Sequence, residues 1–229
     1  MSVSNDDSAT DILIQEVDDD LRRDQYLKLW KRYGNWVIGG AIGIVLVVAA
    51  NQGWQYWETK QRQQDSAQFS AALALAEAGK TQDASQAFDK LFADSHTGFG
   101  MIAEMRRAEL LASSGDIPGA IAAYDKLAGS SVKPVYRDLA VIKGALLSID
   151  QGGDLAPVEA KLSNLLVAGN PWHFAATEAL ALIAQKKGDA NRAINLYKQL
   201  ADDLEAPQGV RARAAEMLAA LGAGDKAKG

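Results

Sequence analysis

The chain has 229 residues, with 24 Lys and Arg against 29 Asp and Glu, two His and no Cys. That length allows a continuous core, and the net charge of −5 lacks the basic footprint of a nucleic-acid binder. The absence of cysteine excludes disulfides and thiolate metal sites.

The first 20 residues carry Asp6, Asp7, Asp11, Glu16, Asp18, Asp19 and Asp20 and no base, which reads as a solvated, disordered acidic tail. Residues 21–35 follow as a basic juxtamembrane segment with Arg22, Arg23, Lys28, Lys31 and Arg32. Between Glu16 and Tyr33 the pattern suits a short helix leading into what comes next.

The uninterrupted apolar run from Trp36 to Ala50 is too short by itself to cross a bilayer. Its flank extends it. From Trp36 to Trp57 the phenol of Tyr56 is the sole ionisable side chain, and at 1.5 Å per residue this stretch reaches roughly 33 Å. Trp30, Tyr33 and Trp36 bracket one end, and Trp54, Tyr56 and Trp57 the other. Amphipathic aromatics collect in this way at the two headgroup levels of a membrane.

A signal peptide would use Lys31 and Arg32 as its charged region and Val48 and Ala50 as its small cleavage residues. The long acidic tract before the run is foreign to such a leader, and residues 36–57 are read as a transmembrane helix. Five basic residues before the span face two after it, Lys60 and Arg62. The positive-inside bias then leaves the N-terminus in the cytoplasm and exports everything after Trp57. Gly39 and Gly43 have the small-xxx-small spacing that lets membrane helices approach closely.

The remaining residues, 58–229, hold 19 basic and 21 acidic side chains. They align on four glycines, Gly79, Gly115, Gly153 and Gly188. Seven before the glycine stand Ala72, Ala108, Leu146 and Ala181; four before it, Leu75, Leu111, Ile149 and Ala184. Five after it stand Ala84, Ala120, Val158 and Ala193; nine after, Phe88, Tyr124, Leu162 and Tyr197; twelve after, Leu91, Leu127, Leu165 and Leu200.

The first two columns share a face of one helix, and the last three share a face of the next. The glycine makes the turn, the acid that usually follows it starts the second helix, and Pro134, Pro171 and Pro207 mark where later helices begin. A helix–turn–helix unit of about 35 residues is the tetratricopeptide period. The third unit is the most degenerate, with Pro157 at the start of its second helix.

After Leu204, Val210, Ala214, Met217 and Leu221 form one apolar face opposite Arg211, Arg213 and Glu216, as a terminal cap requires. The predicted fold is all-α: one transmembrane helix, then an α-solenoid of about four degenerate tetratricopeptide-like helix pairs over 58–221 with a C-terminal capping helix, and a polar tail at 222–229.

No catalytic constellation emerges. His96, in ADSHTGFG, falls in a loop between units, and His173, in NPWHFAA, at a helix start. They have no HExxH spacing, no cysteine partner and no nucleophile elbow, so both read as surface or capping residues. The GGAIG run belongs to the span, and the carboxylates read as solvated helix faces. No cofactor, metal or nucleic acid is implied; the expected partners are proteins and the lipid bilayer.

The order of an acidic N-terminus, EVDDDLRRDQYLKLWKRYGN, one span ending GWQYW, and repeats closing with DDLEAPQGVRARAAEMLAALG resembles the YfgM-like family of membrane-anchored tetratricopeptide proteins, in particular its alphaproteobacterial members. The resemblance covers residues 12–222. It implies a single-pass inner-membrane protein with periplasmic repeats, ancillary to the SecYEG translocon and working beside a membrane-anchored periplasmic chaperone. This chain departs from the enterobacterial relatives in its longer N-terminal tail and its own C-terminal cap. Two functions of different kinds are therefore open: a scaffold for periplasmic partners or clients near the translocon, and an envelope-organising factor tied to cell division or cell-wall synthesis.

Overall fold

The computed structural model describes residues 6–226. Among these residues there are nine helices and no strand. They are α1 (Asp6–Glu77), α2 (Thr81–Asp94), α3 (Gly98–Ser113), α4 (Ile117–Ala128), α5 (Pro134–Gln151), α6 (Ala156–Ser163), α7 (His173–Lys186), α8 (Ala190–Asp202) and α9 (Gln208–Lys226). The all-α architecture expected from the periodicity is present. The chain divides into two compact units, Met1–Lys60 and Gln61–Gly229.

Helix α1 begins within the N-terminal acidic segment. Residues 6–20, expected as a disordered tail, are helical; residues 1–5 lie outside the described residues. The physical reason is in the sequence. No Gly or Pro interrupts Asp6–Tyr33, and acids concentrated at the N-terminal end of a helix complement its dipole.

Within α1, the stretch Trp30–Glu77 contains a window long and apolar enough to cross a membrane by length and composition. Its large side chains stay exposed: Trp36, Ile44, Val45, Leu46, Val47 and Trp54 meet no protein core.

In the second unit the end of α1 acts as the first helix of the first pair. Ala72 is buried with Ala84, Phe88 and Leu91 of α2 and Ala103 of α3. The remaining pairs are α3–α4, α5–α6 and α7–α8. From α2 onward each helix packs on the next in the chain, and α5 also meets α7 and α7 meets α9. Contacts confined to neighbouring repeats are the mark of a solenoid.

The repeat glycines behave as their alignment requires. Gly79, Gly115, Gly153 and Gly188 all have positive φ, between 73° and 91°. In the first, second and fourth units the turn closes the same way. The residue after the glycine donates its N–H to the carbonyl five residues back: Lys80 to Leu75, Asp116 to Leu111 and Asp189 to Ala184, at 2.9–3.0 Å. This Schellman bond satisfies a carbonyl that the helix end would otherwise leave unpaired. Asp116 and Asp189 then cap the next helix, accepting from the N–H of Gly119 at 2.9 Å and of Arg192 at 3.0 Å.

The third unit turns differently, and one column moves with it. Gly152 at φ 77° ends α5, its N–H bonded to the Ser148 carbonyl four residues back, and Gly153 follows at φ 91°. The turn carries one extra left-handed residue, and the columns of α5 divide between the two glycines: Ile149, four before Gly153, is buried at 2% exposure, while the outer column follows Gly152. Seven residues before it is Ala145, buried at 4% exposure, whereas Leu146, expected in that column, is 42% exposed. A slip of one residue rotates a helical position by about 100°, enough to exchange the buried and wet faces.

The second-helix columns otherwise hold. Phe88, Tyr124, Leu162 and Tyr197 are all buried, as are Leu91, Leu127, Leu165 and Leu200. Ala84, Ala120 and Ala193 are fully buried where helices approach closely, and Val158 is half-buried. Pro157 sits in the first turn of α6, where a missing N–H costs no helical bond, and α6 is short at eight residues. At the C-terminus Ala214 is buried while Val210, Met217 and Leu221 pack on the core formed with Tyr197 and Leu200, so α9 caps the stack.

Truncating Tyr124 or Tyr197 to Ala is expected to destabilise by about 3–5 kcal/mol, read from denaturant unfolding. Removing only the hydroxyl separates the two. The Tyr197 hydroxyl is buried without a hydrogen-bond partner, whereas Lys143 lies beside the Tyr124 ring. Tyr197→Phe is therefore expected to match or exceed the parent in stability, because it removes an unsatisfied polar group; a loss above about 1 kcal/mol would contradict the packing described. Gly188→Ala places a side chain at φ 77° and is expected to cost about 1–2 kcal/mol in the same measurement, with no loss refuting the turn geometry.

Candidate binding surface

Charged side chains of the second unit are paired at the repeat spacing. On the second helices of the pairs, Lys126 donates to Asp89 at 2.6 Å and Lys161 to Asp125 at 2.7 Å. Glu159 continues the series, accepting from Lys187 at 2.6 Å and pairing with Arg192. On the first helices Lys143 donates to Glu109 at 3.1 Å, and Arg213 of α9 binds Glu178 through two parallel bonds of 2.7 and 2.8 Å.

Five of the carboxylates read above as solvated faces, Asp89, Glu109, Asp125, Glu159 and Glu178, are thus bound to the neighbouring repeat. Sequence separations of 34–37 residues recur in these pairs, an offset visible once the period is known. Each exposed pair contributes at most about 1 kcal/mol, so their role is register more than strength. Hydrogen bonds from Lys187 and Arg192 hold the Glu159 carboxyl below its ordinary range.

The joints between pairs are pinned too. Asp65 of α1, nearly buried, accepts from the Ser95 hydroxyl at 2.5 Å and the Thr97 hydroxyl at 2.6 Å, fixing the turn that begins α3. The long connection from α6 to α7 is fastened to α5. Trp172 Nε1 donates to the Val135 carbonyl at 2.8 Å, and Asn170 Nδ2 to Asp138 at 2.9 Å.

Both histidines fall where expected. His96 is exposed in the α2–α3 loop, and His173 opens α7 with Nδ1 2.8 Å from the Asn170 carbonyl. Among the described residues no group of three or more His, Asp or Glu is placed to hold a metal ion.

Exposed apolar side chains are also available to a partner. Ile102 of α3, Tyr136 and Leu146 of α5, and Leu166 and Val167 of the α6–α7 connection are each more than a third exposed. Leu146 is exposed because of the two-glycine turn, so sequence alignment alone placed it in the core. In the first unit, Asn35, Trp36, Gly39 and Gly40 line a notch of about 450 Å³ on α1. No atom lies within 4 Å of where a Cβ would stand at Gly39, Gly40 or Gly43, so that face is open.

No curated protein matches the chain. A family match covers residues 28–156, more than half the length, and takes in the apolar stretch of α1 together with the first two helix pairs and α5. Helix pairs turning on left-handed glycines, small residues at the close approaches and a shared period agree with that match: the chain belongs to the tetratricopeptide repeat-like domain family.

Proposed function

We propose that this protein is a non-enzymatic, membrane-anchored scaffold whose repeats hold protein partners. The observation that carries the reading is the joining, in one chain, of a helix with an exposed apolar stretch of membrane-spanning length and a tetratricopeptide-like repeat unit. Stacked helix pairs create extended surfaces suited to a peptide or helical segment of another chain. Aliphatic and aromatic side chains are exposed on α3, on α5 and in the connection after α6.

The anchor is assigned to the inner membrane with the N-terminus in the cytoplasm and the repeats in the periplasm. This rests on the excess of basic residues before the span. In that compartment the resemblance to YfgM-like proteins points to a place beside the SecYEG translocon, with a membrane-anchored periplasmic chaperone as co-worker. Tethering raises the local concentration of the repeats at the exit site without adding contacts.

Crosslinking of intact membranes, followed by co-purification and mass spectrometry, tests the assignment. The intact chain is compared with one whose residues 36–57 are replaced by an unrelated spanning helix and with one lacking residues 58–229. Recovery of SecYEG by the intact and helix-swapped chains, and its loss without the repeats, is the expected result. Recovery by the repeat-less chain would make the span the docking element. Division or cell-wall proteins in place of the translocon would establish the envelope-organising role instead.

A further inference from the structure

Glu104, on α3, faces inward on the same side of the helix as Gly100, Ala103 and Ala108, all buried. Its side chain has no exposed surface. The groups around it come from three helices. Arg107, on its own helix, donates from Nη1 to Glu104 Oε1 at 2.9 Å. The same nitrogen lies 2.9 Å from Asp89 Oδ1 of α2, and Arg107 Nε donates to the Ser85 hydroxyl of α2 at 3.2 Å. Lys126 of α4 donates to that same Asp89 oxygen.

Two features make the ionised carboxylate expensive. Its second oxygen, Oε2, is buried with no hydrogen-bond partner. Its one cationic contact is shared, because Arg107 also serves Asp89. A buried charge is tolerated when every lone pair is met and the counter-ion is its own, and neither condition holds here.

We propose that Glu104 is a proton-uptake site at the junction of the first two repeats, taking a proton from solvent onto Oε2 as the pH falls and so tightening the α2–α3–α4 contact. The neutral carboxyl keeps its bond from Arg107 through Oε1. The Arg107 charge is then left to Asp89, and the interior no longer holds an anion with one oxygen unpaired.

Burial drives this carboxyl above its ordinary value of 4.5, with Arg107 and Lys126 opposing and Asp89 assisting. A carboxyl raised in the folded state binds more protons there than in the unfolded chain. Its contribution to stability is therefore fully present below the unfolded value and lost as the pH rises through the folded one. Glu159 has the opposite sign, since its carboxyl is lowered and its contribution is lost on acidification.

The test uses the full chain in detergent, wild type and Glu104→Gln, with thermal midpoints measured by circular dichroism from pH 4 to pH 8. Glu159 is common to both proteins and cancels in the difference. The midpoint of Glu104→Gln minus that of wild type is expected to grow by several degrees as the pH rises above 4.5. A difference that is flat, or that shrinks with rising pH, overturns the proposal. The Glu104 carboxyl carbon, followed by NMR in the wild type, gives a reading that does not depend on the variant folding. It is expected to titrate above 4.5, and titration at or below that value overturns the proposal.

Discussion

Everything in the repeat unit hangs on a left-handed turn. A helix that ends on an ordinary residue leaves its last carbonyls unpaired and its direction undefined. At Gly79, Gly115 and Gly188 the positive φ lets the next amide reach back to the carbonyl at the fifth position, which closes the helix and reverses the chain in one step. The reversal brings Ala72 against Ala84 and places Ala181 with Ala193. Only small side chains permit that approach, and the large residues at the ninth and twelfth positions then fill the space beyond it. The inter-repeat ion pairs depend on the turn as well, because each reversal brings groups about one period apart side by side.

That dependence explains what could be read from the sequence and what could not. The glycine spacing, the aromatic column Phe88, Tyr124 and Tyr197, and the apolar face of α9 follow from helical periodicity alone, and the helices carry them as expected. The two adjacent glycines at 152 and 153 left the alignment a free choice of one residue. Choosing Gly153 put Leu146 and Ile149 inside; Ile149 is buried, but Leu146 is exposed and Ala145 stands in the core in its place. Periodicity fixes a face only relative to a register, and a register is set by which residue takes the left-handed conformation.

Glu104 shows the converse limit. The pattern Gly100, Ala103, Glu104, Ala108 places an acid on an apolar stripe, a signal present in the sequence once α3 is laid out as a helix. The acid reads as solvated unless the packing of α2 and α4 against it is known, because burial is a property of three helices together. The paired carboxylates of the ladders were opaque for the same reason: Asp89 meets Lys126 across 37 residues of chain. The binding surface was the least legible part, since residues that bind a partner lie between the columns that build the core and obey no period of their own.

The proposed function requires a spanning helix, with the N-terminal segment and the repeats on opposite sides of a membrane. The chain's lack of cysteine gives a clean test. Single cysteines introduced at Ser8 and at the exposed Gln151 are labelled in cells, after opening the outer membrane, with a thiol reagent that cannot cross the inner one. The account predicts labelling of Gln151→Cys in a full-length, membrane-bound chain, with Ser8→Cys protected until the inner membrane is lysed. Labelling of Ser8→Cys with Gln151→Cys protected, or labelling of Gln151→Cys in a shortened soluble chain, would contradict it.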